Sequence, residues 1–292
     1  MDNDSPNTKQ PPDHGAAVRP FVVFPRSGGA LVIVRSAGDV ATGTLVRLHL
    51  CGWRVLALES ERPTVIRRTV ALADAVTEGE AVVEGVRALR CSSLKEIEAA
   101  WEQGAIPVAV DPVGRWISEL KPLAVVDAIL AKRNQGTRMD MAPIVIGLGP
   151  GFTAGEDVHA VIETNRGHRL GKVIYSGPAA PNTGEPGDIG GYTVERVMRS
   201  PGDGVTRSLK AIGDWVAAGE TVLEVDGIPV RAKIAGVIRG LIADGSTVTP
   251  GFKIADVDPR SDRSACFEIS DKARAVAGGV LEALLTLSRR EA

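Results

Sequence analysis

The sequence predicts an α/β protein in which a Rossmann-like domain, built on a mainly parallel doubly wound sheet, is followed by a β-rich domain. Three observations carry this. Short apolar runs alternate with helix-like spacing up to about residue 150. Glycine and proline then crowd residues 147–204, and helical periodicity fades there. Between residues 206 and 258 a glycine-valine-aspartate pattern repeats at a constant offset of 32.

The elements follow in order. Residues 1–30 read as a tail, with Asp2, Asp4, Asp13 and several prolines in place of any periodic pattern. Leu31-Val32-Ile33-Val34 is a buried strand, Val40, Leu45 and Leu48 mark one helix face, and Arg54–Glu59 is a second strand, which makes a βαβ unit. Ser92 and Ser93 can cap a helix that runs to Trp101, with Glu96 in its first turn. Ile106 to Val110, Leu123 to Ile129 and Ile144 to Ile146 are further apolar strands, so the first domain is drawn over residues 31–150. Residues 151–205 form a glycine-rich β region.

In the repeat, residues 213–226 lie over residues 245–258 as G-x-x-V-x-x-G-x-x-[VI]-x-x-V-D. Paired strands with glycine turns in two copies resemble the halves of a lipoyl or biotinyl carrier fold, a barrel-sandwich hybrid, over residues 206–258. A carrier presents a lysine at its central hairpin. Here that position reads Asp226-Gly227, a good tight turn without an amine, and Lys233 lies past it. Residues 259–292 hold a last helix capped by Ser270, with Val276, Val280, Leu284 and Leu287 facing the first domain.

Composition narrows the function. Hydrophobic residues make 44% of the 292, ample for a core, while 34 basic and 36 acidic side chains leave a net charge of −2. No global field attracts nucleic acid, and 4 Trp, 2 Tyr and 5 Phe leave little for base stacking. No apolar run approaches the ~20 residues that span a bilayer, so the reading is a cytoplasmic protein off the membrane. Cys51, Cys91 and Cys266 are too far apart for a disulfide framework or a zinc clamp. No metal site is read. Self-association is left open.

Candidate ligand residues cluster at predicted strand ends. Residues 35–43 stand where a dinucleotide phosphate loop belongs, with Gly38, Asp39 and Gly43 in the loop and first turns of the helix, but Ser36 and Ala41 replace two fingerprint glycines. Glu59, ending the second strand, is placed to meet ribose hydroxyls. Asp111 and Asp127 end strands, and Lys132 stands beyond Asp127 where it could meet an anion. Gly147, Gly149 and Gly151 make a second loop after a strand, an anion nest in form. Asp157, His159 and Glu163 would share one face of a strand, able to serve as acid and base. Cys266, near Lys272 and Arg274, is the one candidate nucleophile. Each has a structural alternative: a cap, a solvated face, a buried thiol.

Taken together, the segments resemble the accessory proteins of selenium-dependent molybdenum hydroxylases, the YqeB-like family. The resemblance rests on A-G-D-V-A-T-G at 37–43, P-x-x-I-R-R-x-V at 63–70, V-D-A-I-L-A-K-R-N at 126–134 and G-L-G-P-G-F-x-A-G-x-D-V-H-A-V-I-E-T at 147–164. It continues in R-G-H-x-L-G-x-V-I at 166–174, N-T-G at 182–184 and C-F-x-I-S-D-K-A-R-x-x-x-G-G-V-L-E-A at 266–283. Ser36 departs from it, since the family more often has glycine there. The resemblance implies a maturation factor that works with a molybdenum hydroxylase client and selenium-donating proteins. The two phosphate-type loops, and not the resemblance, point to a nucleotide-bearing ligand, either the nucleotide form of molybdopterin or NAD. An NAD-dependent or thiol-based enzyme handling selenium or sulfur, with Cys266 and His159 as its catalytic candidates, and a scaffold without catalysis that bridges client and selenium donor, are the other readings.

Overall fold

The computed structural model describes residues 29–260 and 262–289. The predicted tail lies outside them up to residue 28. In chain order the elements are β1 (Leu31–Arg35), α1 (Asp39–Leu50), β2 (Arg54–Glu59), α2 (Ala75–Glu78), β3 (Glu80–Val83), β4 (Val86–Cys91), α3 (Leu94–Glu102), β5 (Ile106–Val110) and α4 (Arg115–Leu120). Then come β6 (Ala124–Asp127), β7 (Ile144–Leu148), β8 (Thr153–Ala154), β9 (Ala160–Ile162), β10 (Val173–Ile174) and β11 (Gly177–Pro178). The rest are β12 (Val197–Arg199), β13 (Gly204–Ser208), β14 (Trp215–Val216), β15 (Thr221–Val225), β16 (Ile228–Arg231), β17 (Gly236–Leu241), β18 (Thr247–Val248), β19 (Lys253–Asp258) and α5 (Asp271–Ser288).

Nine strands form one sheet in the order β10-β9-β7-β6-β1-β2-β5-β4-β3. From β4 to β9 every pairing is parallel, and β3 and β10 close the edges antiparallel. Both faces are covered, which is why the strands read as unbroken apolar runs. Val32, Val34 and Val55 pack with α1 and α5 on one face. Ile33, Leu56 and Leu58 pack with α3 and α4 on the other. Helix α3 begins as its sequence asks: Ser93 Oγ accepts from the Glu96 amide at 3.3 Å, and the Glu96 carboxylate accepts from the Ser92 amide at 2.6 Å. The parallel sheet does not stop at residue 150. The segment after it returns through β9 and β10 and extends the sheet.

The second half holds two four-stranded antiparallel sheets, β12-β19-β17-β14 and β16-β15-β13-β18, closed over a core of Val216, Leu223, Ile238 and Ile254. A shift of 32 residues carries β13, β14 and β15 onto β17, β18 and β19, and so exchanges one sheet with the other. The backbone obeys the same shift. Gly204 and Gly236 have φ of 155° and 156°, and Gly219 and Gly251 have 86° and 76°. The Asp226–Gly227 turn between β15 and β16 has positive φ at both residues, 47° and 80°, the geometry that twists with its strands.

The two halves are tied together by residues 63–74. The Leu241 amide donates to the Ile66 carbonyl, Arg68 Nε donates to the Leu241 carbonyl at 3.1 Å, and Arg67 reaches the carbonyls of Ala265 and Glu268. Helix α5 returns to the first sheet and crosses α1 so closely that a Cβ on Gly43 would stand 2.8 Å from the Ala273 Cβ. No helix among the described residues is long and apolar enough to cross a membrane.

Candidate functional site

The carboxyl ends of β1, β2, β5, β6 and β7 open into a crevice, with the N-termini of α1 and α5 at its walls. Two joined cavities make it. The first, about 360 Å³, lies over β1 and is bordered by Ser36, Gly38, Asp39, Glu59, Asp111 and Leu130. The second, about 430 Å³, shares Leu130 and is bordered by Lys132, Pro150, Thr164, Arg166 and Lys272. This is where ligands sit in open α/β sheets, because strand order reverses there and the loops part.

The first cavity is polar, but its phosphate loop is closed upon itself. Ser36 N donates to Leu58 O at 2.7 Å, Ala37 N to the Glu59 carboxylate at 2.8 Å and Gly38 N to Ser36 Oγ at 3.1 Å. Glu59 also accepts from Ser60 N and Ser36 Oγ. Its carboxylate therefore occupies the loop amide that a pyrophosphate would use. Ser36 holds a φ of 103°, a region that favours glycine, and its hydroxyl is what fastens the loop. Gly38 is the N-cap of α1, and Asp39, in the first turn, pairs with Arg67 at 3.6 Å.

Several expected ligand residues are structural. Gly43 is buried at the α1–α5 crossing, away from any loop. Asp111 accepts from the amides of Gly114 and Trp116 and so starts α4. Asp127 is buried with Arg35 at 3.3 Å and Thr137 at 2.6 Å, and also accepts from the Ile129 amide. Gly147 is glycine because the Phe152 ring would lie 2.5 Å from a Cβ there. Gly149 and Gly151 meet Thr164 and the Arg133 backbone in the same way, and the Gly149 amide continues the sheet to Ile162 O. These glycines let three segments approach one another, which gives the loop's glycines a packing reason, and the Gly149 amide is already taken by the sheet.

The Asp157, His159 and Glu163 row does not form, because β9 starts only at Ala160 and Asp157 lies in a turn. Asp157 accepts from the Thr153 amide at 2.8 Å. His159 Nδ1 accepts from the Val145 amide at 2.9 Å while its own amide donates to Val145 O, which turns the ring back onto β7. Glu163 is buried and accepts from Asn165 N and Ala180 N. Cys266 is fully buried against Ile238 O at 3.6 Å. Burial pushes its thiol above the ordinary range, outweighing Arg239 and Arg67, which disfavours the reactive thiolate. Its neighbours Lys272 and Arg274 turn elsewhere: Arg274 pairs with Glu84 at 2.6 Å.

Lys132, with a φ of 64°, does reach the crevice, at the second cavity. Opposite it stand Arg166 and Lys272, the latter read in the sequence only as a neighbour of Cys266. Lys272 stands in the first turn of α5, at the positive end of the helix, where a cation is disfavoured. Burial, reinforced by Arg166, holds its ammonium below the usual lysine range. No hydrogen bond or ion pair engages that ammonium among the described residues. Arg166 makes a two-pronged contact to Asp271 at 2.7 and 3.1 Å, which holds that carboxyl down at about 2. A cation in the first turn of a capped helix was the available signal.

No protein-family model matches the chain. Over 261 residues, 89% of its length, the chain is 55% identical to "Uncharacterized protein YqeB" of Escherichia coli (strain K12). The match covers 48% of that protein, so the chain spans about half the length of the curated relative it matches. Among solved structures, apo EutE (DoeB), an ectoine utilization protein of Ruegeria pomeroyi, is 13% identical, over 79% of this chain and 86% of that one, at a TM-score of 0.25. A succinylglutamate desuccinylase from Silicibacter sp. TM1040 is 13% identical over 78% and 84%, at 0.23. Scores of this size carry no argument about fold or chemistry. An identity of 55% sustained over 261 residues supports the YqeB-like family as the one this chain is similar to.

Proposed function

We propose that this protein binds a phosphate-bearing, nucleotide-type ligand across the two cavities. The carrying observation is Lys272, a half-buried cation at a helix N-terminus beside a second cation, which an anion in the cavity would neutralise. The phosphate end belongs in the second cavity, on Lys132, Arg166 and Lys272. The polar nucleoside or pterin end belongs over β1, facing Asp39 and Glu59. The closed loop at residues 36–38 does not suit NAD held by the usual fingerprint, since its amides already have partners. A molybdopterin nucleotide placed in this way meets Lys132, Arg166 and Lys272 at its phosphate end, with the carboxylates Glu185 and Asp188 also on the border of the same cavity.

On this reading the protein acts as an accessory factor in the maturation of selenium-dependent molybdenum hydroxylases, as the family resemblance implies, alongside selenium-donating proteins. We read the repeated sandwich as a barrel-sandwich hybrid without a carrier lysine, whose exposed Trp215 and Ile228 offer contact to the client. A thiol-based enzyme is set aside because Cys266 is buried.

Calorimetry with inorganic phosphate and with molybdopterin nucleotides tests the reading. Both should bind the native protein, and Lys272→Met should weaken both at least ~10-fold, the loss of one charged hydrogen bond. Equal binding to the native protein and the variant, or none to either, overturns it.

A further inference from the structure

A third cavity, about 510 Å³, continues from the second and shares Asn165, Arg166 and Ala180 with it. Its wall is the connection between β9 and β10, which carries Arg166, His168, Arg169 and Lys172 within seven residues. Among the described residues no carboxylate pairs with Arg169 or Lys172. Glu163, the acid in this wall, is turned to the backbone: one oxygen accepts from Asn165 N at 2.7 Å and the other from Ala180 N at 2.8 Å, which ties the two walls together.

The basic connection is held rigidly. The Leu170 amide donates to Gly167 O and the Lys172 amide to Arg169 O, making two successive turns, while the Gly171 amide donates to Glu163 O. The turns rest on α5 at a contact that only glycines permit: a Cβ on Gly171 would lie 2.5 Å from the Ala275 carbonyl oxygen, and one on Gly279 would lie 2.2 Å from the Gly171 carbonyl oxygen. The backbone that bears these cations is thus fixed, while the Arg169 and Lys172 side chains stand exposed at the cavity wall, open to an anion.

Resting on the phosphate-binding reading above, we propose that this basic bay receives a second anionic group of the same ligand, so that the ligand class is a pyrophosphate-linked compound. Arg166, on the border of both cavities, lies between the two anions; Lys272 and Lys132 hold the first, and Arg169 and Lys172 hold the second. The three cavities then grade from acidic, over β1, to basic, at β10.

The test is calorimetry of the full chain with inorganic phosphate and inorganic pyrophosphate. Pyrophosphate should bind the native protein at least ~10-fold more tightly than phosphate, from added charged contacts. In Arg169→Gln/Lys172→Met, both exposed positions, that advantage should vanish while phosphate affinity stays within about twofold. A pyrophosphate advantage that survives the double substitution, or that never existed in the native protein, overturns the second anion site and leaves the first intact. Lys272→Met, which should weaken both probes, separates that failure from failure of the first site: no effect of Lys272→Met on phosphate sinks both.

Discussion

Lys272 and Asp127 sit at similar points in the chain logic, a charged residue beside the rim of a sheet, yet their surroundings give them opposite uses. Asp127 is engaged on both oxygens: the Arg35 guanidinium, the Thr137 hydroxyl and the Ile129 amide close around it in a buried site. Lys272 has none among the described residues. Removing one member of a buried ion pair leaves the other charged and unsolvated, so Asp127→Ala should cost about 3–5 kcal/mol of stability. Urea denaturation measures this; a loss below about 1 kcal/mol would show that Arg35 is solvated on its own. The sequence cannot separate these two residues, because partner geometry, and not residue type, decides whether a charge is structural.

At the scale of elements, the contact of α5 with β9, β10 and α1 is set by missing side chains. Gly43 meets Ala273, and Gly279 meets both the Gly171 carbonyl oxygen and Ile162. Gly279→Ala should destabilise by about 1–3 kcal/mol through overpacking, even though alanine is the better helix former by about 1 kcal/mol. Because the displaced segment carries Arg169 and Lys172, pyrophosphate affinity should fall with it. The adjacent Gly278 meets only Arg47 Nη1, at 3.9 Å. Gly278→Ala should therefore stabilise, by up to about 1 kcal/mol in thermal or chemical denaturation. Equal effects at the two sites would rule out the tight crossing. In sequence both are glycines of one G-G pair inside an amphipathic helix, and nothing local tells them apart.

Across the whole molecule, the 63–74 segment joins the sheet to the sandwich, and it carries a titrating group. Burial raises the Asp74 carboxyl to about 6, against the pull of Arg68 at 3.6 Å. The folded state therefore holds this proton more tightly than the unfolded chain, whose carboxyl titrates near the ordinary aspartate value of 3.8. The contribution favouring the fold is complete below that value and declines as pH rises towards about 6. Asp74→Asn should flatten this part of the stability profile and leave the protein more stable at pH 7. Denaturation midpoints between pH 4 and pH 7 measure it, and parallel profiles for the two proteins would exclude the effect.

Much of the architecture was legible in the sequence. The apolar runs at residues 31–34, 54–59, 106–110 and 144–146 are strands because a parallel strand buried on both faces must be apolar throughout. Offset-32 identity marked the repeat because equivalent turns need the same positive-φ glycines. The caps at Ser93 and Ser270 were equally plain, since one hydroxyl satisfies one amide locally. The site was less legible. Glu59, Asp39 and Lys132 do border the crevice. Gly43, Gly147 and Gly149 proved to be packing glycines, and the acid-histidine row dissolved when β9 began three residues late.

The sequence by itself determined the local periodic elements, the repeat and the turn chemistry, because those depend on interactions between residues a few positions apart. Only the tertiary structure decided that the loop amide of Ala37 is closed by a carboxylate 22 residues away, that Cys266 is buried, and that Lys272 and Arg166, 106 residues apart, line one cavity. Burial, unpaired charge and free amides are properties of packed surroundings, and those exist only once distant segments have met.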